Sequence, residues 1–322
     1  MAIYTKLSEN NLKEFFLKYN LGKLLNYKGI QEGIENTNYF IQTDKGKFIL
    51  TVYEKRVEEK DLPFFMGLMK NLFDANFPSP EPIINKNGNY VTEISGKKAA
   101  VVSFLDGSAK KNLNPNDCHK VGVQAAKLHL ITKNLIGKRE NKLSVNSWRK
   151  IYKKVQKDCS RIHINLTKTI EKNLDEIENN WPKNIPSGII HADLFPDNIF
   201  FKDDKLTGII DFYFSCYDFY VFEIAICLNA LCFEGQKENL SFNVTKAKKF
   251  IDGYSSIKKL TEEEKKYLKI LCQGAAMRFL LTRVFDYLNL TEGALVKIKD
   301  PIEYLKRLEF HNSVKDHQDY FF

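Results

Sequence analysis

The chain has 322 residues, 43% of them hydrophobic and 28% charged, with a formal net charge of +9. That balance excludes a wholly disordered chain and leaves ample length for a large core, in one domain or two lobes. Lys and Arg are mixed with acids, as in KRVEEKD and TEEEKKYLK, which is the pattern of solvated faces and argues against a nucleic-acid-binding block.

Residues 8–21, SENNLKEFFLKYNL, read as a helix with Ser8 as its cap and Gly22 as its left-handed terminator. Alternating runs follow, NYFIQT and KFILTVYEK, joined by a hairpin signal at Asp44-Lys45-Gly46. A helix is expected near 58–75, then PSPEP breaks the chain and two or three more strands run to about 105, with Asn87-Gly88 as a turn. Residues 28–105 thus predict an antiparallel sheet of about five strands with one helix inserted. After Gly107 the pattern turns helical, over 115–134 and 144–179 and again from about 218. Thr261-Glu-Glu-Glu264 is a capping box. The expectation is an α+β, bilobal molecule: an N-terminal antiparallel sheet lobe, 1–105, and a larger, mainly helical C-terminal lobe, 106–322, hinged near 103–107.

The start, MAIYTKLSENNLKEF, lacks the basic-then-apolar pattern of a signal peptide. The most apolar later stretch, 209–233, contains Asp211, Asp218 and Glu223, each costing roughly 2.5–3.5 kcal/mol at a bilayer centre, so no membrane partner is expected. The six Cys are scattered, with no CxxC pair and no zinc-ligand spacing. They read as buried thiols of a cytoplasmic protein.

One stretch interrupts the helices: GIIHADLFPDNIFFKDDKLTGIIDF, residues 188–212. An apolar run stops at His191, Asp193 and Asn198 follow in the order D-x4-N, and a strand, turn and strand end on Asp211. That order is the catalytic-loop and metal-site arrangement of kinases. Phosphoryl transfer needs positioned Mg²⁺ on the phosphates and an acceptor for the attacking hydroxyl's proton. Carboxylate and amide oxygens suit Mg²⁺, and a hairpin from Ile199 to Ile210 would bring Asn198 and Asp211 to one ion, with Asp193 facing the hydroxyl. His191 reads as a buried loop organiser.

HADLFPDN and IIDF resemble the HxDxxxxN and D-F motifs of the aminoglycoside phosphotransferase and choline kinase group, which has the protein-kinase-like fold. The segments KGIQEGIENTNYFIQTDKGKFILTVYEKRV, FPSPEPI, SGIIHADLFPDNIFF and GIIDFYFSCYD resemble more closely the bacterial homoserine kinases of the phosphotransferase-like type, over essentially the whole chain. The resemblance implies ATP and Mg²⁺, with L-homoserine phosphorylated on its way to threonine. It implies Asp193 as catalytic base, and Asn198 and Asp211 as metal ligands. It also implies a phosphate loop over 32–39, including Gly33, Ile34, Glu35, Asn36 and Asn38, and adenine at the hinge near Ser103 and Leu105.

Thr51 stands where protein kinases carry a third-strand Lys, so a phosphate-binding cation has to come from elsewhere; Lys55 and Arg56 are the nearby choices. An acceptor with a carboxylate and an ammonium needs a cation and one or two acids beside Asp193. Arg278 and Arg283 offer the cation, Asp218 and Glu223 the acids, and Tyr213 a further contact; the two acids could equally brace the following helix. Trp148 and Trp181 read as core or surface anchors. Two alternatives stay open: a kinase of the same fold with choline, methylthioribose or an aminoglycoside as acceptor, and a non-catalytic nucleotide-binding relative. The basic balance argues against the cationic acceptors, and the presence of Asp193 and Asp211 argues against the second.

Overall fold

The computed structural model describes residues 4–31, 36–54, 57–135, 137–235, 239–289 and 299–321. Ser8 starts helix α1 (Glu9–Phe16) through a reciprocal cap, its hydroxyl accepting from Asn11 N–H and the Asn11 side chain accepting from Ser8 N–H. The helix ends at Phe16, short of the expected 21, and Phe15, Phe16 and Tyr19 turn into the core against the sheet. Gly22 does adopt a left-handed conformation, φ +83°, but at the entry to the sheet, where a Cβ would lie 1.7 Å from Asp44 Oδ1.

The sheet comprises β1 (Leu24–Ile30), β2 (Thr37–Thr43), β3 (Gly46–Val52), β4 (Pro82–Ile83), β5 (Val91–Ile94) and β6 (Lys97–Ser103). Its order is β1-β2-β3-β6-β4, with β5 also on β6, and the pairings are antiparallel. Six strands stand where about five were expected; the two-residue β4 is the short piece that follows PSPEP. Helix α2 (Leu62–Asp74) is inserted between β3 and β4, with a proline in its first turn. Period-two alternation sorts β3 onto two faces. Phe48, Leu50 and Val52 pack with Leu12 and Ile41 under α1. Ile49 and Tyr53 join the larger core that α2 shares with the rest of the molecule, and Thr51 lies between them on that same side.

Beyond the hinge come β7 (Ser108–Ala109), α3 (Pro115–Ile131), α4 (Val145–Val155), α5 (Leu166–Asn180), β8 (Ser187–Ile190), β9 (Ile199–Lys202), β10 (Lys205–Ile209), β11 (Cys216–Phe219), α6 (Tyr220–Leu231), α7 (Val244–Ser255), α8 (Glu262–Leu288) and α9 (Ile302–Ser313). The helical reading of 144–179 divides in two: a 3-10 segment, Gln156–Arg161, buries Cys159 and lets the chain reverse between α4 and α5. Trp148 and Trp181 are core-facing partners, edge to face at 5.3 Å. Thr261 and Glu264 form the expected capping box at the start of α8. Helices α3 and α7 meet through glycines: a Cβ on Gly122 would lie 2.1 Å from Phe250 O, and one on Gly253 2.1 Å from His119 O. The six cysteines are free and buried. Among the described residues no helix is long and apolar enough to cross a membrane. The molecule is α+β and two-lobed, as its pattern predicts.

Candidate active site

Strand β8 delivers His191, Ala192 and Asp193 into a tight turn. Ala192 is left-handed, φ +64°, a conformation that costs energy for any residue with a Cβ. It is held from two sides. Glu223 Oε2, on α6, accepts from the backbone N–H groups of His191 and of Ala192, the latter at 3.0 Å. Arg278 Nη1, on α8, donates to Ala192 O at 2.7 Å. Within the turn His191 Nδ1 accepts from Asp193 N–H at 3.2 Å, which assigns the ring proton to Nε2, and Nε2 donates to Ile210 O at 2.9 Å. Burial lowers this imidazole to a pKa of about 4, so it is neutral. His191 therefore organises the loop, tying it to the end of β10.

Asn198 Nδ2 donates to Asp193 O at 2.9 Å and to Asp193 Oδ2 at 3.1 Å. Both bonds use the amide nitrogen, so the amide oxygen points elsewhere. The β9–β10 hairpin pairs Ile199 with Ile209, and Ile210 N–H reaches Asn198 O at 3.0 Å. The two chain ends leaving the hairpin thus run side by side, one carrying Asn198 and the other Asp211. Asp211 is itself left-handed, φ +65°, and caps the short 3-10 turn Phe212–Phe214. Burial raises the Asp193 carboxyl above its ordinary pKa, with Arg278 and Lys299 opposing. Burial also pushes Glu223 up to about 7, against its two backbone bonds and Arg278.

In the N-terminal sheet, Thr51 Oγ1 donates to Asn38 Oδ1 at 2.8 Å across the β2–β3 pair. Asn36 Oδ1 accepts from Glu54 N–H at 3.2 Å. The Glu54 carboxylate accepts from Thr5 Oγ1 at 2.7 Å and from Thr37 Oγ1 at 2.8 Å, and pairs with Lys97. This network staples down the C-terminal end of the expected phosphate loop. Gly33, Ile34 and Glu35 lie outside the described residues, as do Lys55 and Arg56. At the hinge Ser103 N–H bonds Glu81 O at 2.9 Å and Phe104 N–H bonds Lys47 O at 3.2 Å, so the next N–H along is that of Leu105. Gly107, φ +122°, lies so close to β9 and β10 that a Cβ would meet Thr207 Oγ1 at 2.5 Å and Phe201 O at 2.9 Å.

The acceptor candidates divide. Tyr213 is drawn to the N-terminal lobe: its hydroxyl accepts from the Tyr53 hydroxyl at 3.1 Å, and its ring meets Tyr53 and Phe65 edge-on. Asp218 accepts from Asn141 Nδ2 and from Phe219 N–H, each at 2.7 Å. Asp218 thus braces the start of α6, whereas Glu223 holds the His191–Ala192 turn rather than the following helix. Arg278 is buried beneath the Asp193 turn, its guanidinium 4.6 Å from the Phe279 ring centroid. Arg283 Nη1 bonds Glu303 Oε2 at 2.8 Å and Asp300 O at 3.0 Å. Two residues that the spacing of motifs did not single out also stand here: Tyr53, and Lys299, whose Nζ is 3.8 Å from Asp197 and 5.2 Å from the Phe195 ring centroid. The alternation of β3 could have pointed to Tyr53; nothing in the sequence separates Lys299 from the 49 Lys and Arg.

The phosphotransferase enzyme family model matches residues 26–256. A homoserine kinase of Beijerinckia indica is 46% identical over 314 residues, covering 98% of this chain and 97% of the relative. A homoserine kinase of Bradyrhizobium diazoefficiens is 46% identical over 321 residues, covering 99% and 97%. Among solved structures, amicoumacin kinase in complex with AMP-PNP, Ca²⁺ and Ami has a TM-score of 0.70 at 15% identity, covering 97% of this chain and 95% of that one. Choline kinase from Cryptosporidium parvum has a TM-score of 0.62 at 16% identity, covering 89% and 88%. These structures share the kinase-like fold. With its turn at Asp193, its hairpin from Asn198 to Asp211 and this likeness along its whole length, the chain belongs to the phosphotransferase enzyme family, on the branch that holds these homoserine kinase relatives.

Proposed function

We propose that the chain is a homoserine kinase, converting ATP and L-homoserine to ADP and O-phospho-L-homoserine. The observation that carries the acceptor is the full-length likeness, at 46% identity, to homoserine kinases. The chemistry is assigned from the turn and the hairpin. Asp193, steadied by Asn198 Nδ2, accepts the hydrogen bond of the homoserine hydroxyl and takes its proton as the new O–P bond forms and the bond to ADP breaks. Arg278 and Glu223 keep the turn in its left-handed form, so the base needs no rearrangement at the moment of transfer.

An Asn–Asp oxygen pair fits Mg²⁺, which commonly takes one or two protein oxygens and completes its shell with waters and substrate phosphates. Asn198 and Asp211 are the residues to hold it, and when bound it supplies charge neutralisation at the phosphates. Asn36 and Asn38, at the described end of the expected phosphate loop, are the residues to face the phosphates, and the Ser103 carbonyl with the Leu105 N–H would receive adenine.

The test is ADP release from Mg-ATP with L-homoserine, L-serine, L-threonine, choline, methylthioribose and kanamycin in turn. Turnover confined to L-homoserine is expected. Turnover with another acceptor alone, or silence across the panel with Mg-ATP still bound, would overturn the assignment.

A further inference from the structure

An amino-acid acceptor brings a carboxylate into a site whose base is also a carboxylate. A cation has to face it, or the approach is repulsive and the desolvated anion is left unpaired. Among the described residues, two cations flank the Asp193–Asn198 loop: Arg278 Nη1 bonds Ala192 O at 2.7 Å, and Lys299 Nζ lies 3.8 Å from Asp197. Arg278 is 2% exposed and committed to Ala192 O beneath the turn. Arg283 and Arg307 are further along α8 and α9, each with a side chain 11% exposed and each paired with Glu303. The Lys299 side chain is 52% exposed. Its ion pair with Asp197 is long, at 3.8 Å, and Asp197 is 76% exposed, so the pair is weak and easily exchanged.

The position of Lys299 suits an acceptor. It sits over Phe195, which lies between Asp193 and Asn198 and whose N–H bonds Asp193 O at 2.9 Å. Phe195 packs on Phe279 with centroids 4.9 Å apart, and Phe279 on Tyr304 at 5.1 Å. These rings form an apolar wall beside the base, of the kind that would take methylene groups. The wall also carries the buried Tyr304 hydroxyl, which has no hydrogen-bond partner among the described residues.

We propose that Lys299 binds the carboxylate of the acceptor while Asp193 engages its hydroxyl, with the methylenes between them against Phe195 and Phe279. The proposal rests on the homoserine kinase reading and adds the residue that selects for a carboxylate-bearing alcohol.

Steady-state kinetics of Lys299→Ala and Lys299→Arg test it, with 3-aminopropan-1-ol, which lacks the carboxylate, as a competing ligand. Lys299→Ala should raise the KM for L-homoserine about tenfold or more while kcat changes less than about threefold, as expected for a lost charge-assisted bond made equally in ground and transition states. Lys299→Arg should recover much of the loss. The inhibition constant of 3-aminopropan-1-ol should be the same in the native chain and in Lys299→Ala. An unchanged KM in Lys299→Ala overturns the proposal. So does a fall in kcat alone, which would place Lys299 on the transferring phosphoryl group, or an equal loss of affinity for the carboxylate-free alcohol. If the native chain does not phosphorylate L-homoserine at all, the homoserine kinase reading itself fails, an outcome distinct from a Lys299 variant that behaves like the native chain. Thermal melts of both variants check that the fold is intact.

Discussion

Asp193 is positioned by side chains that come from far along the chain. Asn198 holds it from five positions away, but Glu223 and Arg278 reach its turn from α6 and α8. Replacing Asp193 with Asn should remove turnover by about 10²–10⁴-fold while Mg-ATP binding persists, as read by ADP release and by calorimetric titration of the nucleotide. Asp211→Ala should instead weaken Mg-ATP binding itself in the same titration. His191 gives a pH dependence whose sign is fixed by its burial. Its folded pKa of about 4 lies below the ordinary 6.5. Its contribution to stability is therefore fully present above pH 6.5 and is lost as the pH falls from 6.5 towards 4. Urea unfolding at pH 7 and at pH 5 should differ by about 2 kcal/mol more in the native chain than in His191→Asn. At this scale the geometry of the motif was legible because it is local: D-x4-N brings Asn198 Nδ2 back onto Asp193. Arg278 was legible only as a charge in an apolar run, and its job of holding Ala192 O was not, because that contact depends on how α8 crosses the turn.

At the scale of elements, two contacts stand out. Tyr213 ties the Asp211 turn to the exit of β3 through the Tyr53 hydroxyl and to α2 through Phe65. Tyr213→Phe and Tyr53→Phe should each raise the KM for Mg-ATP roughly fivefold, the worth of about 1 kcal/mol, and the double variant should be no worse than either single one. Additive losses would mean that the hydroxyls do not act as a pair. Gly122 and Gly253 let α3 and α7 approach to backbone contact. Gly122→Ala should cost about 1–3 kcal/mol in denaturant unfolding, because the clash is with a carbonyl oxygen rather than a movable side chain. The Ser8 and Thr261 caps and the alternation of β3 could be read in advance, since each is written in adjacent residues. The end of α1 and the division of α4 from α5 could not, since tertiary packing around Phe16 and Cys159 decides them.

For the whole molecule, the change of pattern after Gly107 marked the passage from sheet to helices, but not how firmly the hinge rests on the β9–β10 hairpin. Thr207 Oγ1 donates to Asp106 O at 2.7 Å, Lys202 pairs with Asp106 at 3.3 Å, and β7 extends β9. Ile209 N–H also bonds Pro78 O, in the segment that leads to β4. The hinge is thus fastened to the hairpin that carries Asn198 and Asp211. Gly107→Ala, which would press a methyl onto Phe201 O, should lower the melting temperature and raise the KM for Mg-ATP together. A variant with a lower melting temperature and an unchanged KM would separate hinge stability from nucleotide alignment.

Thr51 bears on inhibitor chemistry. Electrophiles that dock in an adenine pocket and capture a strand lysine depend on an amine at that point of the third strand. Here they would meet a hydroxyl already hydrogen-bonded to Asn38, a far poorer nucleophile. Lysine-directed nucleotide-site reagents should therefore spare Thr51, so that a covalent probe which discriminates this chain from protein kinases can be sought by selecting against amine capture.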